Sequence, residues 1–75
     1  MDNITLDQQV VLAALEKRGF DVNSHEFYPD EVAPTIFMSK QVRHSMRYAE
    51  IGPDAKVNGL ELGAFFDTLE NYKPS

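Results

Sequence analysis

The stretch "SKQVRHSMRYAEI", residues 39–51, decides which fold the chain is assigned, because its apolar residues fit two different periods. As a helix, it has Ser39 as a natural N-cap, and Val42, Met46 and Ala49 recur at helical spacing. As a strand, its side chains from Val42 onward alternate with an acceptable period of two. The inward face of that strand would include polar groups. Lys, Gln, Arg, Met, Ala and Glu all favour helices. We therefore predict a basic amphipathic helix here, with a strand as the alternative.

The N-terminal segment carries the clearest local signal. Thr5 and Gln8 have the spacing of a capping box, in which each side chain satisfies a backbone amide of the other. Gly19 stands where a helix commonly ends in a left-handed residue. The spacing between these ends predicts a central helix whose buried stripe holds Leu6, Val10, Ala13, Ala14 and Lys17, widened by Val11 and Leu15.

The middle of the chain, residues 20–38, predicts short strands. Its aromatic and β-branched segments "FDV", "EFY" and "TIFM" are separated by polar residues and prolines. Pro29 and Pro34 exclude a helix through this region. We predict a small β-hairpin that pairs residues 26–28 with residues 35–38.

The C-terminal segment predicts a second amphipathic helix. Asn58 is a suitable N-cap, and the apolar positions that follow recur at helical spacing. Gly63 in the interior of this helix predicts that another element packs closely against it, since glycine costs about 1 kcal/mol relative to alanine there. The predicted buried stripe consists of Leu62, Phe65, Phe66 and Leu69.

Together these elements predict an α+β fold, with residues 1–75 forming one small domain. The predicted order is an N-terminal helix, a short β-hairpin, a basic amphipathic helix and a C-terminal helix. An all-α three-helix domain is the alternative if the middle segments are not strands. A core this small is also compatible with a homodimer, in which a second copy adds buried surface.

Composition limits the class of protein. The 75 residues include no cysteine, so neither a disulfide nor a thiolate metal site is expected. No apolar run has the roughly 18 residues of a membrane span, and the N-terminus carries acid where a signal peptide carries base. We expect a soluble cytoplasmic protein without a membrane partner.

The sequence predicts no reaction chemistry. Its two histidines lack the spacing of metal ligands, and Ser24, Ser39 and Ser45 lack the context of a nucleophile elbow. There is also no glycine-rich phosphate loop. We therefore expect no enzyme, no cofactor and no metal.

The net charge of −5 favours binding to a basic surface of a larger protein. Its acids could imitate the phosphates of a nucleic acid, and the expected function is that of a small inhibitor or adaptor such as those encoded by bacteriophages. The basic stretch would form an oriented contact, and exposed aromatics would anchor the interface. The candidate partner-binding residues are Lys40, Arg43, His44 and Arg47, together with Phe27, Tyr28, Asp30 and Glu31.

The alternative function is a small DNA-binding regulator of helix-turn-helix type, with residues 39–51 as its recognition helix. Three of the seven basic residues lie within residues 40–47, which contain no acid. The overall acidity disfavours nucleic acid, because DNA affinity rests mainly on the neutralisation of phosphates.

Overall fold

The computed structural model describes residues 3–70, and the side chains of residues 3–69. The elements are α1 (Leu6–Lys17), β1 (Asp21–Glu26), β2 (Thr35–Val42), β3 (Ser45–Ile51) and α2 (Leu62–Glu70). The three strands form one antiparallel sheet in the order β1-β2-β3, so each strand pairs with the next. The α+β prediction is confirmed, and the all-α alternative is wrong.

The predicted basic helix at residues 39–51 is wrong. This stretch is the second half of β2, a two-residue loop and β3, which pair from Val42 with Ser45 to Ile36 with Ile51. Pairing buries Ala49 and Ile51 against the core, whereas a helix would have broken β2 in its middle. Cross-strand packing therefore outweighs the helix propensity of the individual residues.

The predicted first hairpin is right in kind but shifted in position. β1 begins earlier than expected, at Asp21, and pairs with β2 until Glu26 lies opposite Thr35. Phe27 and Tyr28 belong to the connecting loop, and the register shifts between Val22 and Ser24. The prediction followed aromatic content, but the polar segment "DVNSHE" forms the strand, because its pairing with β2 needs only backbone groups.

The capping signals of α1 are confirmed. Thr5 and Gln8 form the complete capping box. The helix ends with two reverse hydrogen bonds, from Gly19 N to Glu16 O at 3.0 Å and from Phe20 N to Leu15 O at 3.1 Å. These bonds define a Schellman ending, with Gly19 at a φ of +96°.

The predicted buried stripe of α1 is wrong at its centre. Leu6 is 78% exposed and Val10 is 66% exposed, while the side that faces the core presents Gln8, Val11 and Leu15. "VVLAAL" is apolar nearly all round, so apolar spacing alone could not choose the face. The hydrogen bonds of Gln8, described below, hold the observed side inward.

The stripe of α2 is confirmed, with Phe65 buried and Leu62, Phe66 and Leu69 half-buried against the core. The predicted N-cap at Asn58 is wrong, since the helix begins four residues later. Asn58 has a φ of +52° and bonds to β3 instead. The close approach predicted at Gly63 is also wrong, because an added Cβ there meets nothing within 4 Å.

The two faces of the sheet differ in what covers them. On one face, Ile36 pairs with Ile51 and Met38 with Ala49, and these side chains join the helices in one hydrophobic cluster. That cluster also includes Val11, Leu15, Phe20, Val57 and Phe65. Side chains alternate between the two faces along a strand, so the strand residues next to these four point away from both helices.

Candidate functional site

The second face of the sheet, which we call the open face, has no described element packed across it. The strand register places the following side chains there: Asp21, Asn23, Ser24, Glu26, Thr35, Phe37, Ser39, Gln41, Met46, Tyr48 and Glu50. Tyr48 is 66% exposed and Met46 is 43% exposed, and the half-buried Phe37 is a diagonal neighbour of Tyr48. Antiparallel sheets usually present polar residues to solvent, so this apolar group suggests a contact surface.

The charged groups of the open face are all acidic in the described strands. Asp21, Glu26 and Glu50 lie on it, whereas Lys40 and Arg47 pair with each other on the face that the helices cover. The pleat therefore separates the acids of the sheet from its bases. The resulting negative potential favours a basic partner.

A groove of about 470 Å³ lies at one end of the open face, between the loop of residues 27–34 and the loop of residues 52–59. We call it the end groove. Its lining includes Tyr28, Glu31, Thr35, Glu50, Asp54 and Lys56. The groove lining thus contains one aromatic ring, three carboxylates and one ammonium group.

Tyr28 forms a polar wall of the end groove. Its hydroxyl donates to Glu26 Oε2 at 2.9 Å. This hydrogen bond, together with the negative charges of Glu26 and Glu50, raises the pKa of the Tyr28 phenol above its ordinary value. Tyr28 therefore stays a neutral aromatic within an acidic cluster.

Thr35 lies in the wall of the end groove at the start of β2. The residue is only 7% exposed, and its hydroxyl makes no hydrogen bond to any residue in the range 3–70. No buried side-chain oxygen or nitrogen in the described part of the chain lacks a hydrogen-bond partner, so the unpaired Thr35 hydroxyl is accessible to solvent. It can therefore accept a hydrogen bond from a ligand in the groove.

Gln8 holds the two loops of the end groove from inside the protein. Its fully buried amide donates to Pro34 O at 2.7 Å and to Gly52 O at 2.9 Å, while its Oε1 accepts from Thr5 N at 3.0 Å. Pro34 precedes Thr35, and Gly52 lines the groove. One side chain thus ties both walls to α1.

The basic half of the predicted site lies at the other end of the sheet. Lys40 donates to Arg18 O at 2.5 Å, and its ammonium lies 5.9 Å from the Phe20 ring centroid. This side chain therefore caps the C-terminal end of α1. Arg47 is half-buried opposite Lys40. Arg43 and His44 are exposed in the β2–β3 loop.

The acidic and aromatic half of the predicted site lies in the β1–β2 loop. Tyr28 and Glu31 line the end groove, Asp30 is exposed, and the exposed Phe27 ring contacts His25 edge-on at 5.9 Å between centroids. The seven residue steps of β2 separate this loop from the basic loop by about 23 Å. The structure therefore brings Tyr28 and Glu31 together but keeps the two halves of the predicted site apart.

Sequence reasoning missed Thr35, Met46, Tyr48 and Glu50 as site residues. The signal for three of them was present, because Met46, Tyr48 and Glu50 alternate with period two in the stretch that we interpreted as a helix. The strand alternative would have placed them on one face. The burial of Thr35 depends on the loops around it and has no local signal.

The chain matches no protein-family model, no curated protein and no solved structure. Within residues 3–70, no group of three or more His, Asp or Glu side chains is arranged to hold a metal ion. In the same part of the chain, no helix is long and apolar enough to cross a membrane.

Proposed function

We propose that this chain is a small acidic, non-enzymatic binding protein that occupies a basic surface of a larger protein in the cytoplasm. It would act as an inhibitor or adaptor, in the manner of small proteins that bacteriophages encode. The observation that carries the proposal is the open face, where exposed aromatic and methionine side chains lie among carboxylates.

The residue types of the open face support a protein contact. Tyrosine, phenylalanine and methionine are enriched in protein interfaces, and a few central aromatic residues usually carry most of the binding energy. Tyr48 lies on the edge strand β3, opposite Ser39 and diagonal to Phe37, and it is more exposed than Met46 or Phe37 on the same face. We therefore assign Tyr48 as the main anchor.

The charge of the open face supports a basic partner. Its carboxylates share this face with the apolar group, and Glu50 lies opposite Phe37. Complementary charge accelerates association and excludes acidic competitors. Tyr28 and Glu31 extend the acidic surface into the end groove. The sequence-based assignment of Arg43 and His44 to the interface would require a partner that also reaches the opposite end of the sheet.

The DNA-binding alternative has less support. A helix-turn-helix regulator inserts a recognition helix into the major groove, but residues 39–51 are two strands and a loop. The Lys40 ammonium is also bonded to the end of α1. Residues 39–51 therefore lack the helix by which such a regulator reads DNA.

Affinity capture from the native host's lysate tests the function when it is run with matched variants. The baits are the unaltered protein, Tyr48→Ala on the open face, and Leu6→Ala, which removes an apolar side chain from α1 that is at least as exposed. We expect the unaltered bait and Leu6→Ala to retain one protein in equal amounts. The amount retained by Tyr48→Ala should be lower by at least about fivefold.

The capture is repeated at two salt concentrations. Raising the salt concentration from about 0.1 M to about 0.5 M should weaken a complex that depends on complementary charges. Equal retention by all three baits would contradict the role of the open face. Recovery of nucleic acid that nuclease treatment abolishes would support the DNA-binding alternative and sink the proposal.

A further inference from the structure

We propose that the end groove receives an arginine side chain of the partner protein, with its guanidinium between the Tyr28 ring and the carboxylates of Glu31 and Glu50. This inference rests on the proposed function and names the chemistry by which the partner is recognised. The groove joins the open face at Glu50, so a partner that covers Tyr48 can place a long side chain in it.

The size of the end groove suits a side chain. Its volume of about 470 Å³ lies within the range of sites that hold small ligands. It is open on the solvent side and walled by two loops, so the ligand enters from a covering surface. A side chain presented by a partner protein fits this geometry.

The carboxylates of the groove are not equally available. Asp54 Oδ1 accepts from Lys56 N at 3.1 Å, and Glu26, which lies beside the groove, accepts from the Tyr28 hydroxyl. The side chains of Glu31 and Glu50 accept no hydrogen bond from the part of the chain that the structure describes. Two carboxylates are therefore ready to take a cation.

Arginine fits this set of groups better than lysine. Its planar guanidinium offers five donors and stacks on aromatic rings, whereas the ammonium of lysine is a strongly hydrated point charge. The groove offers two carboxylates without a hydrogen-bond partner among the described residues, one ring and the solvent-accessible hydroxyl of Thr35. Carboxylates and an aromatic ring are the groups that a guanidinium binds, by paired hydrogen bonds and by stacking.

The walls of the groove are fixed before any ligand binds. Gln8 bonds to Pro34 and Gly52, and the second loop is closed by bonds from Gly52 N to Lys56 O at 3.0 Å and from Ala55 N to Gly52 O at 2.9 Å. Binding therefore needs little ordering of the protein, which lowers its entropic cost.

The test is an NMR titration of the isotope-labelled protein with the peptide acetyl-Gly-Arg-Gly-amide. We expect saturable amide shifts confined to Tyr28, Glu31, Thr35, Glu50 and residues 52–56, with Kd of about 1 mM. The same peptide with citrulline, a neutral isostere of arginine, should give no saturable shift, and the lysine peptide should bind several-fold more weakly.

Variants locate the site. Glu50→Gln and Tyr28→Leu should each weaken the arginine peptide by about threefold or more, while Asp67→Asn, an equal charge change on the exposed side of α2, should leave the affinity unchanged. Amide spectra of each variant confirm that it is folded.

Three results would overturn the proposal: equal binding of the citrulline peptide, shifts spread over the whole acidic surface, or equal losses in Glu50→Gln and Asp67→Asn. If one of them occurs while Tyr48→Ala still releases the captured partner, the assignment of the groove fails and the proposed function stands. If Tyr48→Ala retains the partner, the proposed function fails by itself.

Discussion

Gln8 donates from its side-chain amide to the carbonyl oxygen of Pro34 at 2.7 Å, across 26 positions of the sequence. The second amide hydrogen goes to Gly52 O, 44 positions away, and the side-chain oxygen completes the capping box with Thr5. All three bonds are made by a side chain that is fully buried. One polar residue thus joins the start of α1 to both loops of the end groove.

Replacement of this glutamine is expected to destabilise the fold strongly. Gln8→Ala leaves two carbonyls and the Thr5 amide without their partner, and we expect a loss of about 3 kcal/mol in the free energy of unfolding. Gln9→Ala is the matched control, because Gln9 is exposed on the same helix, and it should cost less than about 0.5 kcal/mol. Urea denaturation measures both values.

Gln8→Glu separates hydrogen bonding from packing. A carboxylate of the same shape cannot donate to Pro34 and Gly52, and burial raises its pKa, so the variant should be least stable at neutral pH and gain stability as pH falls. A stability profile parallel to that of the unaltered protein would show that these two bonds contribute little.

The β2–β3 loop contains a strained residue. Arg43 has a φ of +57°, and it is the first of two loop residues between the paired Val42 and Ser45, a position that favours glycine in a type II′ turn. Arg43→Gly should therefore raise the free energy of unfolding by about 0.5–1 kcal/mol and Tm by a few degrees. His44→Gly, where φ is not positive, should give no such gain.

The same variant tests the sequence-based site. If Arg43 contacts the partner, Arg43→Gly weakens capture although it stabilises the protein. Unchanged capture would remove the loop from the interface.

Phe65 is the aromatic centre of the core. It is 3% exposed, and its ring centroid lies 6.2 Å from that of Phe20. Phe65→Ala should cost about 3–5 kcal/mol and leave so small a protein largely unfolded. Phe66→Ala should cost less, because Phe66 is half-buried and its outer face contacts the Arg18 guanidinium at 4.1 Å. Similar melting curves for the two variants by circular dichroism would refute this description of α2.

The pKa of Tyr28 reports on the acidic end of the sheet. The hydrogen bond to Glu26 and the charges of Glu26 and Glu50 hold it above the ordinary value, so the stability it contributes is complete below about pH 10 and is lost as pH rises through the raised pKa. Glu26→Gln should lower this pKa toward the ordinary value, as measured by NMR of labelled tyrosine. Glu16→Gln on α1 is the control and should leave it unchanged.

Local signals predicted the ends of α1, whereas long-range contacts decided the sheet. The capping box and the left-handed Gly19 involve residues no more than five positions apart, so the sequence displays them directly. The choice between helix and strand at residues 39–51 depended on pairing with β2, and the face of α1 depended on carbonyls 26 and 44 positions from Gln8. Propensity cannot contain that information.

The same distinction applies to the candidate site. Tyr28 and Glu31 were predicted because exposed aromatic and acidic residues in a loop suggest a contact surface. Tyr48 and Glu50 were missed because a helical interpretation assigns them to different sides. Lys40 was predicted as a contact, but its bond to the Arg18 carbonyl exists only because β2 passes the end of α1.

The two outer edges of the sheet are protected unequally. Asn58 Oδ1 accepts from Glu50 N at 2.8 Å and Asn58 Nδ2 donates to Tyr48 O at 3.2 Å, so the outer side of β3 is already occupied at Tyr48 and Glu50. β1 has no strand beyond it among residues 3–70. Its register shift and its charged side chains disfavour pairing with a strand of another chain. Edge-to-edge pairing of two copies through β1 would use up the open edge of each copy and leave outward only β3 edges that Asn58 partly occupies. This asymmetry is compatible with a homodimer and opposes growth into fibrils.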